Sequence, residues 1–504
     1  MQTCLVADRL LSLRALLPEA EFIGGDDIRP LRCTSDSRRV RPGDLFAALP
    51  GDRYDGHQFI AEAIGRGATS VLCERPPTSP LVPSGGTWCP GLGVPCGVVP
   101  HVHHAYGRVC QALAGNPSFT LKTIGITGTN GKTTTSCLIA SVLLKAGYRV
   151  GIAGTLGYFD GQEVEPATHT TPPAESLAPL LARMVTNQCT HATMEVSSHA
   201  LAQSRIAGVR LDVACVTNVS RDHLDYHTSL QDYRLAKSKL LDYLAPEGFA
   251  VVNADDAIAV GYLRHFHGPA LTIGIRKPAE IMATPLEQFP SEQTFLLTAG
   301  SETVPVRTRM IGAHHIYNCL TATAVGLTYG LELATVVRGL EAVDYVPGRL
   351  QRIECGQSFS VFIDYAHTPD ALASTLQALR NVSSGRLICV FGAGGDRDRQ
   401  KRPLMGQEAE KLADCTVLTS DNPRHEDPQE IVAEILEGFQ RPAAARVIID
   451  RSEAIHWALA QAQPGDCLLI AGKGHEQYQI VGDERIALDD QQIAEEWLYE
   501  GIRE

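Results

Sequence analysis

The chain has 504 residues, of which 44% are hydrophobic and 20% charged, and its formal net charge is −13. That length suggests about three domains able to bury cores, and the acidic balance excludes a general nucleic-acid surface. No apolar run is long enough to span a bilayer, so neither a nucleic-acid nor a membrane partner is expected.

The 14 cysteines are scattered without a Cys-x-x-Cys pair, which reads as reduced, mostly buried thiols. The start, Met1-Gln-Thr-Cys-Leu-Val-Ala-Asp-Arg-Leu, lacks a basic segment followed by an apolar one. A signal peptide is therefore not expected, and the cytoplasm is the expected compartment.

Residues 1–114 read as a first, smaller α/β domain. Within it, 45–49 and 68–73 have strand character, 59–67 and 101–114 have helical character, and 76–100 reads as a Pro/Gly-rich loop. Asn116-Pro117-Ser118 ends the last helix and marks a boundary.

Residues 115–345 alternate strands (122–127, 148–153, 191–196, 211–217, 248–253) with helices (132–146, 174–186, 229–243, 316–329). Alternation of this kind favours a mostly parallel sheet covered on both faces. Short strand patterns over 270–310 suggest an antiparallel addition. The first strand runs into Gly128-Thr-Asn-Gly-Lys-Thr-Thr134, where glycines, a lysine and hydroxyls open a helical pattern. Gly128 and Gly131 let backbone N–H groups close on oxyanions, Lys132 can reach terminal phosphates, and the Thr133 hydroxyl can hold Mg²⁺. Ile126 stands where the longer phosphate-loop pattern has its first glycine, so this is a shorter variant.

Further along, Glu195 ends an apolar strand and suits Mg²⁺ directly or through water, or is a solvated strand-end carboxylate. Arg221-Asp-His-Leu-Asp-Tyr-His227 follows another strand, and His223 there suits a metal or phosphate, or caps a turn. Thr170-Thr171 precedes Pro172-Pro173, an extended loop suited to a carboxylate or phosphate, or simply polar.

Residues 346–504 carry strands at 360–364, 386–391, 415–419, 446–449 and 467–471, a doubly wound, Rossmann-like pattern. Ligands of such sheets bind beyond the carboxyl ends of strands. Four loops stand there: Asp364-Tyr-Ala-His367, Gly392–Arg397, Asp421-Asn-Pro-Arg424 and Gly472-Lys-Gly-His-Glu476. Arg397 and Arg424 suggest an anionic substrate, and Asp421 and Glu476 an ammonium; salt bridges between the loops are the other reading.

Taken together, the phosphate loop, Met-Glu-Val-Ser-Ser-His (194–199), Asn218, the 221–227 run, Asn318, Pro-Gly-Arg (347–349), Asp-Tyr-Ala-His-Thr-Pro-Asp (364–370) and Asp-Asn-Pro-Arg (421–424) resemble the Mur ligase family. These are ATP-dependent amide-forming enzymes of peptidoglycan precursor synthesis. The resemblance implies three domains: a UDP-sugar domain (1–114), a central ATP domain (115–345) and an amino-acid domain (346–504). It implies ATP contacts at Gly128, Thr129, Asn130, Gly131, Lys132, Thr133, Thr134, Asn318, Arg349, Asp364 and His367. Thr133 and Glu195 would hold one Mg²⁺, and His223 and Lys237 a second, the latter as a carbamate (N6-carboxylysine). Lys132, Glu195, His223 and Lys237 form the implied catalytic set. Lys239 lies close enough to Lys237 to compete for that assignment.

UDP-N-acetylmuramoyl-dipeptide would meet Ser35, Ser37, Asp52, Arg53, Tyr54, His169, Thr170, Thr171, Ser197, Gln203 and Arg205. His169 departs from a related pattern that has Asn there. Asp-Asn-Pro-Arg resembles the signature of members that take meso-diaminopimelate, which implies that Arg397, Asp421, Asn422, Pro423, Arg424, Gly472 and Glu476 bind it. A monomer is expected. The alternatives are the lysine-adding relative, a folylpolyglutamate-type ligase, and a phosphate-loop switch that is not a ligase.

Overall fold

The computed structural model of the chain describes residues 11–51, 54–76 and 93–501. These fall into two compact units: the described residues up to Ile124 with Arg149–Asp212 and Asp242–Ala245, and Gly125–Tyr148 with Val213–Leu241 and the described residues from Pro246.

In the first unit, strands β1 (Glu21–Ile23), β2 (Arg32–Thr34), β3 (Asp44–Ala47), β4 (Ser70–Cys73) and β5 (Cys96–Val98) form a sheet ordered β1-β5-β4-β3-β2. Only β1 runs antiparallel to its neighbour. Alternation assigns the faces: Leu45, Ala47 and Leu72 join a core with Val102, Tyr106 and Val109, while Phe46, Val71 and Cys73 join another with Ile60 and Ala63. The expected loop over 76–100 is thus interrupted by β5; residues 77–92 lie outside the described set. Cys96-Gly-Val98 is too short to show a period in sequence, and it is specified by pairing with β4. The same unit holds β7 (Val150–Gly154), β8 (Gly157–Phe159), β9 (Val164–Glu165) and β10 (His191–Glu195), which join the start of β6 (Lys122–Thr127) in the order β6-β10-β7-β8-β9.

In the second unit, β6 and β11 (Leu211–Val216) continue into a sheet with β12 (Leu244–Asn253), β13 (Ala270–Gly274), β14 (Ile281–Phe289), β15 (Glu292–Ala299) and β16 (Glu302–Thr308), ordered β16-β15-β14-β13-β12-β11-β6. The antiparallel addition is the β14–β15–β16 meander. Helix Ala313–Thr328 begins three residues ahead of the expected position, because Gly312 turns the chain at φ +99°. The helix expected over 229–243 is α-helical only at Leu230–Ser238, capped by Ser229, and tightens to a 3₁₀ turn at Lys239–Tyr243.

The last sheet runs β17 (Gln351–Ile353), β18 (Ser360–Asp364), β22 (Cys467–Ala471), β19 (Leu387–Phe391), β20 (Cys415–Leu418), β21 (Arg446–Val447), parallel except for β17. Its strands are apolar on both faces: Leu387, Cys389 and Phe391 pack into one core, Ile388 and Val390 into the other. Burial of a side chain such as Phe391 contributes about 1.5–3 kcal/mol. A hairpin, β23 (Tyr478–Val481) with β24 (Glu484–Ala487), follows β22. Among the described residues, no helix is long and apolar enough to cross a membrane.

Candidate active site

The phosphate loop is held rigidly by its own unit. Gly131 stands at φ +85° and caps the helix that starts at Lys132; a Cβ there would lie 2.5 Å from Asn318 Oδ1. A Cβ on Gly128 would collide with the Thr217 hydroxyl. Asn218 clamps the loop: its carbonyl accepts from Thr129 N (2.8 Å), its Oδ1 from Asn130 N (2.9 Å), and its Nδ2 donates to Asn130 O (3.0 Å). Lys132 Nζ donates to Gly128 O at 2.9 Å and Thr129 O at 3.0 Å, so its charge sits over the loop. Arg349 Nη2 donates to Thr133 Oγ1 at 3.1 Å, and Asn318 Oδ1 accepts from Thr135 Oγ1 at 3.2 Å. Thr134 is buried in the helix's first turn.

Lys237 is 1% exposed; its Nζ donates to Gly128 O at 2.8 Å and lies 4.7 Å from the Tyr233 ring centroid. Burial, then the nearby Lys132 ammonium, push its amine well below the usual lysine range, against an opposite pull from Asp222. Lys239 is exposed, so the two lysines have opposite environments. His223 adopts φ +55°, its Nε2 3.3 Å from Asp222 Oδ2. Burial works to raise the Asp222 carboxyl, but His223 and Lys401 more than reverse it and hold the acid below the usual carboxylate range.

Tyr365 is surrounded: the Arg349 guanidinium lies 4.4 Å from its centroid, the His367 ring stands edge-on at 4.7 Å and the His475 ring is tilted at 5.4 Å. Burial pushes His475 down to about 4, and burial followed by Lys401 lowers His367. Asp364 is engaged by the chain itself, accepting from Leu350 N (2.6 Å), Ala366 N (2.9 Å) and Thr375 Oγ1 (3.1 Å). It fixes the bend that carries Arg349.

The loops beyond β19, β20 and β22 converge. Arg424 Nη1 donates to Gly395 O at 2.8 Å. A Cβ on Gly394 would lie 3.0 Å from that nitrogen and 3.6 Å from Arg397 Cγ, so this glycine separates the two arginines. Burial, then the neighbouring Arg397 charge, lower the Arg424 guanidinium. Asn422 Nδ2 donates to Glu476 Oε2 at 2.8 Å. Asp421 and Pro423 are buried, and a Cβ on Gly472 would strike Asp421 Oδ2.

A second cluster forms in the other unit. The Glu195 carboxylate accepts from Thr155 N (2.7 Å) and Thr155 Oγ1 (3.1 Å), and Thr155 Oγ1 also meets Thr170 Oγ1 at 3.2 Å. Thr171 Oγ1 donates to Glu195 O (2.8 Å) and accepts from Ser197 N (3.0 Å). Arg205 donates to Thr171 O and, through two nitrogens, to Gln203 Oε1. Burial, then Arg205, lower His169. Six expected residues, 170, 171, 195, 197, 203 and 205, are thus joined in one network. Of the other expected residues, Ser35 Oγ donates to Glu175 Oε2 at 2.9 Å, Ser37 Oγ to Glu62 Oε2 at 3.0 Å, and Tyr54 is exposed beside Phe59. Asp52 and Arg53 lie outside the described residues.

Sequence reasoning misses Thr155 and Lys401, and gives no individual role to Asp222 in the 221–227 run or to Lys473 and His475 in the 472–476 loop. Lys473 has the clearest signal, a lysine between two glycines directly after an apolar strand.

Three family profiles match in chain order: the Mur ligase family catalytic domain over 32–112, the Mur ligase middle domain over 126–326, and the Mur ligase glutamate ligase domain over 348–474. A UDP-N-acetylmuramoyl-L-alanyl-D-glutamate--2,6-diaminopimelate ligase of Geobacillus thermodenitrificans is 42% identical over 94% of this chain and 95% of its own. One of the same name from Syntrophomonas wolfei is 40% identical over 92% and 93%. A solved structure of a ligase of that name is 32% identical, with a TM-score of 0.67 over 98% of this chain and 100% of the other. On these grounds the chain belongs to the Mur ligase family.

Proposed function

We propose that the chain adds meso-diaminopimelate to the D-glutamate γ-carboxylate of UDP-N-acetylmuramoyl-L-alanyl-D-glutamate, with ATP. The carrying observation is the loop cluster in which Arg424 and Arg397 flank Gly394 while Glu476 stands beside Asn422. Diaminopimelate has a distal carboxylate and ammonium on one carbon, which match guanidinium and carboxylate in turn. The names of relatives about 40% identical point the same way.

In this reading, the Glu γ-carboxylate oxygen attacks the γ-phosphorus of ATP and the bond to ADP breaks, giving an acyl phosphate. The amine then attacks the acyl carbon, phosphate leaves, and the amine loses a proton. Lys132 and the loop N–H groups neutralise phosphate charge, and catalysis is chiefly positioning. Asn318, Arg349 and His367 would border the nucleoside. The Thr171–Glu195–Ser197–Arg205 network would orient the muramoyl peptide, and Ser35, Ser37 and residues 52–54 the UDP-sugar. Segments 1–114, 115–345 and 346–504 would carry sugar, nucleotide and amino acid respectively.

Mg²⁺ takes oxygen ligands and completes its shell with phosphates and water, so few protein donors suffice. By donor chemistry the Thr133 hydroxyl and the Glu195 carboxylate would each suit such an ion, and His223 and a Lys237 carbamate would suit a second. Bound there, the ion would offset phosphate charge. A neutral amine is what attacks CO₂, forming the N–C bond and releasing a proton, and the buried Lys237 is the lysine suited to it. We further propose a cytoplasmic monomer.

The test is mass spectrometry of products. One ADP per UDP-muramoyl-tripeptide is expected; ADP without tripeptide would contradict the reading.

A further inference from the structure

We propose that Lys473 is a positioning residue for the incoming amino acid: its buried ammonium fixes the Glu476 carboxylate and the Asn422 amide so that one carboxylate oxygen faces the ligand's ammonium. The inference rests on the reading above and extends it to a residue outside the ligand contacts.

Lys473 is fully buried, between Gly472 at φ +113° and Gly474 at φ +54°. An ammonium has three N–H donors, and here they meet three acceptors: Asn422 Oδ1 (3.2 Å), Glu476 Oε2 (3.2 Å) and Tyr478 O. Asn422 Oδ1 also accepts from Ile480 N at 2.9 Å, while its Nδ2 donates to Glu476 Oε2. The amide orientation is therefore determined, since reversing it would set donor against donor. Glu476 Oε2 receives Lys473 and Asn422; Oε1 meets the Tyr365 hydroxyl only at 3.5 Å. Oε1 is the oxygen left to address a ligand.

The same lysine reaches Arg424. Tyr478 begins hairpin β23–β24, and this strand holds the arginine's backbone: Arg424 N donates to Ile480 O (3.0 Å), and Gly482 N donates to Arg424 O (2.7 Å). Gln479 Nε2 donates to Asp421 O at 2.6 Å. Glu476 and Arg424 also attract one another. Without the Lys473 charge, the carboxylate is drawn to the guanidinium, and each group loses the partner it presents to a zwitterionic ligand.

The test uses the full-length enzyme and phosphate release, with Michaelis constants for diaminopimelate, ATP and the UDP-muramoyl dipeptide, and a melting curve for each variant. Lys473→Met is expected to raise the diaminopimelate KM about tenfold or more, the scale for losing one partner of a buried charge pair, with the other two constants within about twofold. Because Lys473 acts through Glu476, the double variant Lys473→Met/Glu476→Gln should be no worse than the poorer single variant. An unchanged diaminopimelate KM, a parallel rise in all three constants, or multiplying effects in the double variant would each overturn the inference. Should Lys473→Met melt below assay temperature, Lys473→Gln, which keeps donors and drops the charge, carries the same expectations. Wild-type enzyme inert toward diaminopimelate would sink the reading of the reaction; active wild type with an indifferent Lys473→Met would sink only this inference.

Discussion

Arg424 stands at φ +51°, where a long side chain stays only if its surroundings hold it. Its backbone bonds to Ile480 O and from Gly482 N supply that hold. Arg424→Ala should raise the diaminopimelate KM about 10- to 100-fold, the range for losing a charge-assisted pair. ATP binding, read by titration with a non-hydrolysable analogue, should be spared; equal weakening of both would place the arginine elsewhere in the cycle. Lys132→Met should lower kcat about 100-fold or more in the same phosphate-release assay, since it removes the loop's cation. At Lys237 the lowered amine means that the neutral form predominates at lower pH than for an ordinary lysine. Incorporation of ¹³C-labelled CO₂, followed by NMR, should rise with pH through that lowered value and vanish in Lys237→Met. Other residues show where sequence reading stops. Asp364 was legible as a strand-end acid, yet its oxygens serve backbone N–H groups 2 and 14 residues away, a pairing that exists only once the bend forms. Lys473 stood in a legible loop, but its role was not legible there, because the partners that complete its contacts, Asn422 Oδ1 and Tyr478 O, come from the 421–424 loop and from β23.

At the scale of elements, the phosphate loop depends on glycine at 131 for two reasons, its positive φ and the nearness of Asn318. Gly131→Ala should destabilise the protein by about 1–3 kcal/mol in denaturant unfolding. A neutral result would show that the loop yields without strain. The helix Lys401–Leu412 is anchored by Arg402, fully buried and paired with Glu426 (2.8 Å) and Glu434 (2.7 Å), and donating to Gly394 O at 3.0 Å. Hydrogen bonds from Arg402 to Glu426, and from Arg399 and Arg402 to Glu434, hold both carboxyls below the usual range. A depressed carboxyl contributes stability above its unfolded value, about 4.3, and loses it as pH falls through the folded value. The contribution of these pairs to the melting temperature should therefore hold between about pH 5 and 7 and be lost below about pH 4. Glu426→Gln should flatten that acid limb; an identical limb would remove the pair from the account. The strands β18, β19, β20 and β22 were legible because apolar residues dominate each of them. The hairpin β23–β24 was not, since Glu484–Ala487 is exposed throughout and shows no alternation.

For the whole molecule, the α/β alternation was legible from residue types alone, because parallel sheets demand apolar strands and helical crossovers, whereas the order of segments was read from a resemblance. The two units were less legible. The chain leaves the first after Ile124 and returns at Arg149–Asp212, and no composition shift marks either crossing. The same limit divides the expected contacts: residues 170–205 converge in one unit, while the arginine loops converge in the other. In the proposed reaction a nucleotide-activated acid is joined to an amino acid recognised at both ends. The most direct test is phosphate release from ATP with the UDP-muramoyl dipeptide, offering meso-diaminopimelate or lysine in turn. Release should depend on the amine, with kcat/KM for lysine lower by about 100-fold or more, because the guanidinium groups would face no distal carboxylate. Equal rates with both amines, or release indifferent to either, would contradict it.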